Sequence, residues 1–388
     1  MIVRQFLQWV RTAPASERAE ATSALARAYL YSQLTPDDRS AAEGAMLMLL
    51  DDPSPLVRRA LAEPLAFSPY APPPIIHALA ADQPEIAALV IEQSPLFIDA
   101  DLVDLAATGS PHVQAAIARR TPMPCAVAAA LAEVGSAEAC LILLANPDAD
   151  IASFSVDRIV ARFGHLAAVR DALFARDDLP SATRHALVAK LSATLVDFVV
   201  GRDWLGAERA RRAAAEAFEK ATVTIAAESP AMEVRPLVRH LRSTGQLNAG
   251  LILRALLSGN VLMFEESLAE LADLPIARVR SLLGDRGTTG VRAVFERAGL
   301  PEASWPAFRE ATAAMRESAH LDEPGGTSRL KRRMIERVLT GCGRDQVDEV
   351  EPLLTLLRRF ATEAARDEAR LYCQELAGEC DLDARAAA

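Results

Sequence analysis

Apolar positions recur at helical spacing along most of the chain, and over residues 51–163 they recur in step with a short phrase. The phrase reads Asp52-Pro53-Ser54-Pro55-Leu56-Val57-Arg58, then Asp82-Gln83-Pro84-Glu85-Ile86, then Gly109-Ser110-Pro111-His112-Val113, then Gly135-Ser136-Ala137-Glu138-Ala139. With Pro55, Pro84, Pro111 and Ala137 aligned, the spacings are 29, 27 and 26 residues. Val57, Ile86, Val113 and Ala139 then share one column, and Leu61, Val90, Ile117 and Leu143 share another, four residues on. Side chains four apart lie on one face of a helix, so each copy opens an amphipathic helix. Breaks follow at Ala66, Pro95, Pro122 and Pro147, and second helices are predicted at Ile75–Ala81, Ala100–Ala107, Cys125–Val134 and Val156–Phe163. Self-similarity at this period predicts stacked helix pairs. The expected fold class is therefore all-α: a HEAT-like α-solenoid of short helix pairs followed by a second helical domain.

The flanks extend this picture. Phe6, Leu7 and Val10 mark an apolar stripe, and a helix is predicted from Ser16 to Leu34. Thr35-Pro36-Asp37-Asp38 combines a capping hydroxyl, Pro at the first helical position and acids in the first turn, so it opens a helix over Asp37–Leu50. The second half of that helix, Ala45 to Leu50, is apolar all round and predicts burial on several sides. Residues 1–50 are assigned to an N-terminal helical cap and 51–200 to the repeats. A domain change is placed at Gly201-Arg202-Asp203, before a long amphipathic helix Ala207–Ala227 with Arg209, Arg211, Arg212, Glu216, Glu219 and Lys220 outward. Residues 201–320 form the second helical domain, with Gly259 and Gly299 at helix C-termini. His320–Ser328 has the composition of a linker, and 329–388 holds C-terminal helices with a stripe of Leu353, Leu354, Leu356 and Leu357.

Asp51/Asp52, Pro55, Val57-Arg58 and Ala60 resemble the D-x-x-x-P-x-V-R-x-x-A phrase of HEAT repeats. The later copies carry Ala87, Gln114 and Cys140 where that phrase has Arg. The whole arrangement is similar to the DUF2336 family of alphaproteobacterial proteins, which combine short HEAT-like repeats with a helical second half. The resemblance spans roughly residues 35–310. It implies an architecture and brings no catalytic residue. It also implies that Arg58 ties helices together rather than forming a site.

Composition narrows the function. Half of the residues are hydrophobic but only 5% are aromatic, so the apolar mass is Ala and Leu, suited to closely stacked helices. A net charge of −10 opposes a general nucleic-acid role, since phosphate binding needs a positive field. Cys125, Cys140, Cys342, Cys373 and Cys380 contain no CxxC and read as reduced thiols. With no signal-peptide pattern and no 18-residue uncharged apolar run, the expected location is the cytoplasm, away from the membrane.

Candidate chemistry is sparse. His77, His112, His165, His185, His240 and His320 form no i, i+4 pair, and no metalloenzyme, P-loop or nucleophile-elbow motif occurs. No catalytic residue, metal or cofactor is assigned, and an enzyme is not expected. Gly284-Asp285-Arg286-Gly287-Thr288-Thr289-Gly290 is glycine-rich but follows no strand. The structural repeat positions are Pro55, Val57, Arg58, Pro84, Ile86, Pro111 and Val113. Arg59, His77, Arg119 and Arg120 are the candidates for a binding surface. The reading is a non-enzymatic protein–protein interaction scaffold or regulatory adaptor, its protein partner unidentified, with homodimerisation through the C-terminal helices to cover the leucine stripe. The alternatives are a nucleic-acid-binding HEAT-like protein and a small-molecule sensor with a pocket in residues 230–316.

Overall fold

The computed structural model describes residues 9–10, 12–176, 178–284, 288–318, 334–340 and 351–386. The Phe6/Leu7 stripe, the 320–328 linker and the middle of the Gly284–Gly290 loop lie outside these residues, as do 329–333 and 341–350 of the tail. The chain is all-α: the described residues form helices and no strand. It divides into two compact units, Met1–Leu179 and Pro180–Ala388. The division falls before the helix Ser181–Gly201 rather than at 201, because that helix packs on the two that follow it.

Unit 1 contains α1 (Ala15–Tyr31), α2 (Pro36–Leu49), α3 (Pro55–Leu65), α4 (Pro73–Ala80), α5 (Pro84–Gln93), α6 (Asp99–Thr108), α7 (Pro111–Ala118), α8 (Cys125–Val134), α9 (Ala137–Ala145), α10 (Ser153–Phe163) and α11 (Ala167–Phe174). Pro stands at the first helical position of α2, α3, α5 and α7, where its missing N–H costs nothing and its fixed φ suits the helix. Alternate helices pack on one another: α3 on α1 and α5, α7 on α5 and α9, α8 on α6 and α10. Val57, Ile86 and Ala139 are buried at these contacts, as are Leu61, Val90, Ile117 and Leu143, while Val113 is half-buried. One expectation fails in α2. Ala45, Met46 and Leu49 are buried, but Leu47 and Met48 are exposed, because only one face of α2 meets its neighbours α1 and α3.

The polar residues between helix pairs explain how the aligned phrase varies. Arg18 of α1 holds the Asp52 carboxylate with two bonds, 2.9 and 2.8 Å, and Arg58 of α3 holds Asp82 at 2.6 and 2.9 Å. Burial alone would push both carboxyls up. The guanidinium bonds and the backbone N–H of Ser54 or Gln83 outweigh it and hold them below the usual carboxylate range. Where the third copy carries Gln114, the amide takes over: it donates to Ala106 O at 2.9 Å and accepts from Ser136 N at 2.9 Å. Each of these side chains reaches from a first helix to the turn that starts the next one.

That turn also fixes a glycine. Gly109 follows α6 with φ −78°, and a Cβ there would lie 2.4 Å from Leu105 O and 2.6 Å from Val113 Cγ1. Gly109→Ala should therefore lower stability by about 1–3 kcal/mol through overpacking. Equilibrium urea unfolding checks this, and an unchanged midpoint would show that the turn relaxes freely.

Unit 2 contains α12 (Ser181–Gly201), α13 (Ala207–Glu228), α14 (Ala231–Ser243), α15 (Ala249–Leu257), α16 (Val261–Ala272), α17 (Ile276–Gly284), α18 (Thr288–Arg297), α19 (Trp305–Ser318) after a short 3₁₀ turn, and α20 (Glu351–Ala386). Gly259 and Gly299 end α15 and α18 with φ +77° and +67°. One core joins α13, α14, α15 and α16 through Val223, Leu237, Leu241 and Leu251. A larger one joins α15 to α19 with Ile335 and Val338 and with Leu357 and Phe360 of α20. Leu357 is fully buried there, and Leu354 and Leu356 pack against it. Leu354, Leu356 and Leu357 of the stripe thus find cover within their own chain, while the side chain of Leu353 lies outside those described.

Candidate functional site

In unit 1 the connection inside each helix pair sets the geometry. These connections are residues 66–72, 94–98, 119–124 and 146–152. Backbone bonds lay the last two side by side: Met123 N donates to Asp148 O at 3.3 Å and Asp150 N to Met123 O at 3.2 Å. Asn146 adds Nδ2 bonds to Ala118 O and Arg120 O at 3.0 and 2.8 Å. Arg120 ties 119–124 to 94–98, donating to Ile91 O, to Ser94 O at 2.9 Å and to Glu92 O at 3.4 Å. His77 of α4 meets Phe97 edge-on, 5.3 Å between ring centres. The connections from 94 to 152 therefore lie along one edge of the unit, and α4 reaches that edge at 94–98. Phe67, Tyr70, Ile98 and Phe154, within or next to these connections, are 62–77% exposed.

The candidate side chains fare differently. Pro55, Pro84 and Pro111 are exposed at helix starts. Arg58 is consumed by Asp82 and by Asp52 O at 2.6 Å. Arg59 is exposed and pairs with Glu63 one turn on, at 3.0 Å. Arg119 is exposed, 3.9 Å from Glu92. Arg120 is not a surface cation: burial lowers its pKa, and its guanidinium caps the C-terminal carbonyls of α5. Among the described residues no hydrogen bond, ion pair or ring contact joins any two of Arg59, His77, Arg119 and Arg120, so they form no shared site. Arg162 and Arg176 are further examples of the same capping, reaching Gly135 O at 2.7 Å and Leu144 O at 3.5 Å.

Described residues of unit 2 line at least two concavities. The first is a groove of about 340 Å³ between α12 and α13, lined by Val188, Leu191, Leu195 and Val199 on one side and by Ala210, Ala213, Ala214 and Ala217 on the other. Ser192 is the one polar residue of its lining. Beyond it, at the turn, exposed Phe198 and Trp204 meet at 5.6 Å, with the Arg202 guanidinium 5.1 Å above Phe198. The second, about 610 Å³, is lined by Lys220, Thr224, Glu228, Arg254 and residues 258–262. Its cations are already compensated. Arg254 bonds Glu363 at 2.6 Å and Lys220 bonds Asp367 at 2.8 Å, while Arg359 beside them bonds Glu216 at 3.1 Å. Glu216, Glu219 and Lys220 thus face α20 rather than solvent alone, unlike the expected outward set.

Below the groove, His185 of α12 is 1% exposed, its ring 4.7 Å from Phe218 and 5.3 Å from His240. Neither ring nitrogen has a hydrogen-bond partner. Burial, and then the neighbouring His240, lower its pKa to about 4. Cys140 is buried and its thiol is pushed up to about 11 by burial, the opposite of a reactive cysteine. Among the described residues no group of three or more His, Cys, Asp or Glu is placed to hold a metal ion, and no helix is long and apolar enough to cross a membrane.

The family model described as "Uncharacterised protein conserved in bacteria (DUF2336)" matches residues 86–348. The chain belongs to this family. The matched region starts at Ile86 in α5 and ends beyond α19, later at both ends than the 35–310 suggested by the repeat phrase. The first helix pair, with Arg58 and its HEAT-like phrase, lies outside the matched region, whereas the α12–α13 groove lies inside it. No curated protein matches the chain, and no solved structure does.

Sequence reasoning missed both exposed apolar features. Phe67, Tyr70, Ile98 and Phe154 follow no helical period because they sit in or beside connections. The groove had a readable signal: Val188, Leu191, Leu195 and Val199, then Ala210, Ala213/Ala214 and Ala217, repeat at three and four residues on both sides of one turn.

Proposed function

We propose that this DUF2336 protein is a non-enzymatic protein-binding scaffold of the cytoplasm, and that its first unit is a HEAT-like α-solenoid. The packing of alternate helices, repeated from α1 to α11, supports the solenoid reading. One observation carries the binding reading. At the loop edge Arg119 lies 3.9 Å from Glu92 and Arg120 is spent on helix-end carbonyls, whereas Phe67, Tyr70, Ile98 and Phe154, in or beside the connections within helix pairs, stand exposed. Large apolar side chains on a backbone pinned by hydrogen bonds are rigid anchors, at low entropic cost to a partner. Such an edge recognises a protein that offers apolar side chains, and a single exposed arginine, Arg119, beside Glu92 gives little of the positive field that a phosphate backbone requires.

The test is affinity purification with the full chain, identification of the captured protein, and titration of that purified protein against wild type and a Tyr70→Ser/Phe154→Ser variant. The variant should fold normally by circular dichroism and bind at least tenfold more weakly, as loss of two anchors of ~1–2 kcal/mol each predicts. Equal binding by both proteins would reject the loop edge. A gel shift with nucleic acid at low salt, abolished by salt, would reject the protein-scaffold reading itself.

A further inference from the structure

The geometry points to the α12–α13 hairpin as the interface for a second copy of this chain, the two hairpins closing into a four-helix bundle. The inference is independent of the loop edge of unit 1, since it uses only residues of unit 2. From Val188 outward, none of the residues of α12 is buried, although Leu191, Leu195, Val196, Phe198, Val199 and Val200 are apolar. A hairpin of this length, with its apolar stripe facing solvent, is half of a helical bundle.

The occupant follows from the shape of the groove. Its α12 wall is mainly a row of large side chains, Val188, Leu191, Leu195 and Val199, and its α13 wall a row of alanines that ends at Phe218. A two-fold axis parallel to the hairpin's helices brings the α12 of one copy against the α13 of the other. The large row then enters the small row twice, once at each side of the axis. One surface therefore supplies both the knobs and the holes, the requirement for an isologous contact.

Charge permits the approach. The chain carries −10 overall, which drives copies apart, but residues 181–228 hold seven basic and six acidic residues, and no charged residue lines the groove. The outer part of each helix, residues 188–201 or 207–220, runs for about 20 Å. The residues lining the groove, with Phe198 and Trp204 at the tip, make about 15 residues a side, below the roughly 20–30 of a stable protein interface, so the association should be weak. A monomer–dimer equilibrium in the micromolar range is the expected result.

Sedimentation equilibrium of the full chain over a hundredfold concentration range reads this directly. Wild type should dimerise, and Leu195→Glu should shift the midpoint at least tenfold toward monomer. Because a charge in the hairpin could also unfold it, a second measurement uses milder changes. A mixture of Leu195→Cys and Ala213→Cys chains, each folded, should form a disulfide-linked heterodimer on air oxidation beyond the wild-type background from the chain's own cysteines. Monomer at every concentration overturns the proposal. So does a dimer that persists in folded Leu195→Glu, or a mixed pair that cross-links no more than wild type, since either outcome puts the contact elsewhere.

Discussion

Replacing His185 with leucine should flatten the acid sensitivity of unit 2. The imidazole is 1% exposed, and burial, followed by His240, depresses its pKa from 6.5 to about 4. A histidine that is harder to protonate in the folded state destabilises that state wherever the unfolded chain takes up the proton first. Above pH 6.5 both states are neutral at this site and it contributes no slope. As pH falls from 6.5 toward 4, the unfolded state binds the proton and the folded state does not, so stability is lost. Each pH unit corresponds to about 1.4 kcal/mol, so the loss is about 2 kcal/mol by pH 5 and about 3 kcal/mol by pH 4. Reading the effect between pH 7 and 5 separates it from the titration of most carboxylates. At pH 7 the leucine variant should be no less stable than wild type, because the two ring nitrogens it removes have no partner to lose. Urea unfolding at pH 7, 6 and 5 tests both parts. Parallel pH profiles for wild type and His185→Leu would mean that the ring is solvated or partnered in solution.

How much of this was legible in the sequence depends on the range of the interaction. The repeat register was readable because it is local: Pro at a helix start and apolar residues four apart carry their meaning within one helix. Val57, Ile86 and Ala139 are buried for that reason. The polar ties were readable only where the phrase kept Arg. Gln114 looked like a departure at the Arg position, yet its amide makes an equivalent bond to the next turn, because Ser136 offers an N–H where Asp82 offers a carboxylate. Arg120 looked like part of a basic pair on a surface. Its role depends on the carbonyls of Ile91, Glu92 and Ser94, close to thirty residues away, and no local rule points to them. Leu357 was misjudged in the same way. An apolar stripe in sequence shows that cover is needed, but only the tertiary fold shows whether the cover is Ile335 and Val338 or another chain. At 201 a turn in a hairpin had the composition of a boundary, and local signals do not distinguish the two.

The same tertiary dependence makes Arg254 the most consequential ion pair of unit 2. Its side chain is almost fully buried between α13, α15 and α20, 2.6 Å from Glu363 and 3.6 Å from Glu219, with its guanidinium 4.2 Å over the Phe360 ring. Removing both acids, by Glu219→Ala with Glu363→Ala, leaves a buried guanidinium without a counter-charge. That should cost about 3–5 kcal/mol, while removing the charge along with its partners should cost far less. Adding Arg254→Met to the double variant should therefore restore most of the lost stability, since methionine fills the space against Phe360 without needing an acid. The size of the rescue decides what the network does. Near-complete rescue means that the pair costs about as much to desolvate as it returns, and its value lies in registering α20 against α13 and α15. Failure of methionine to rescue would mean that the arginine's packing on Phe360 and its bonds are themselves a major source of stability. Thermal and urea unfolding of the wild-type, double and triple variants at pH 7 provide the comparison.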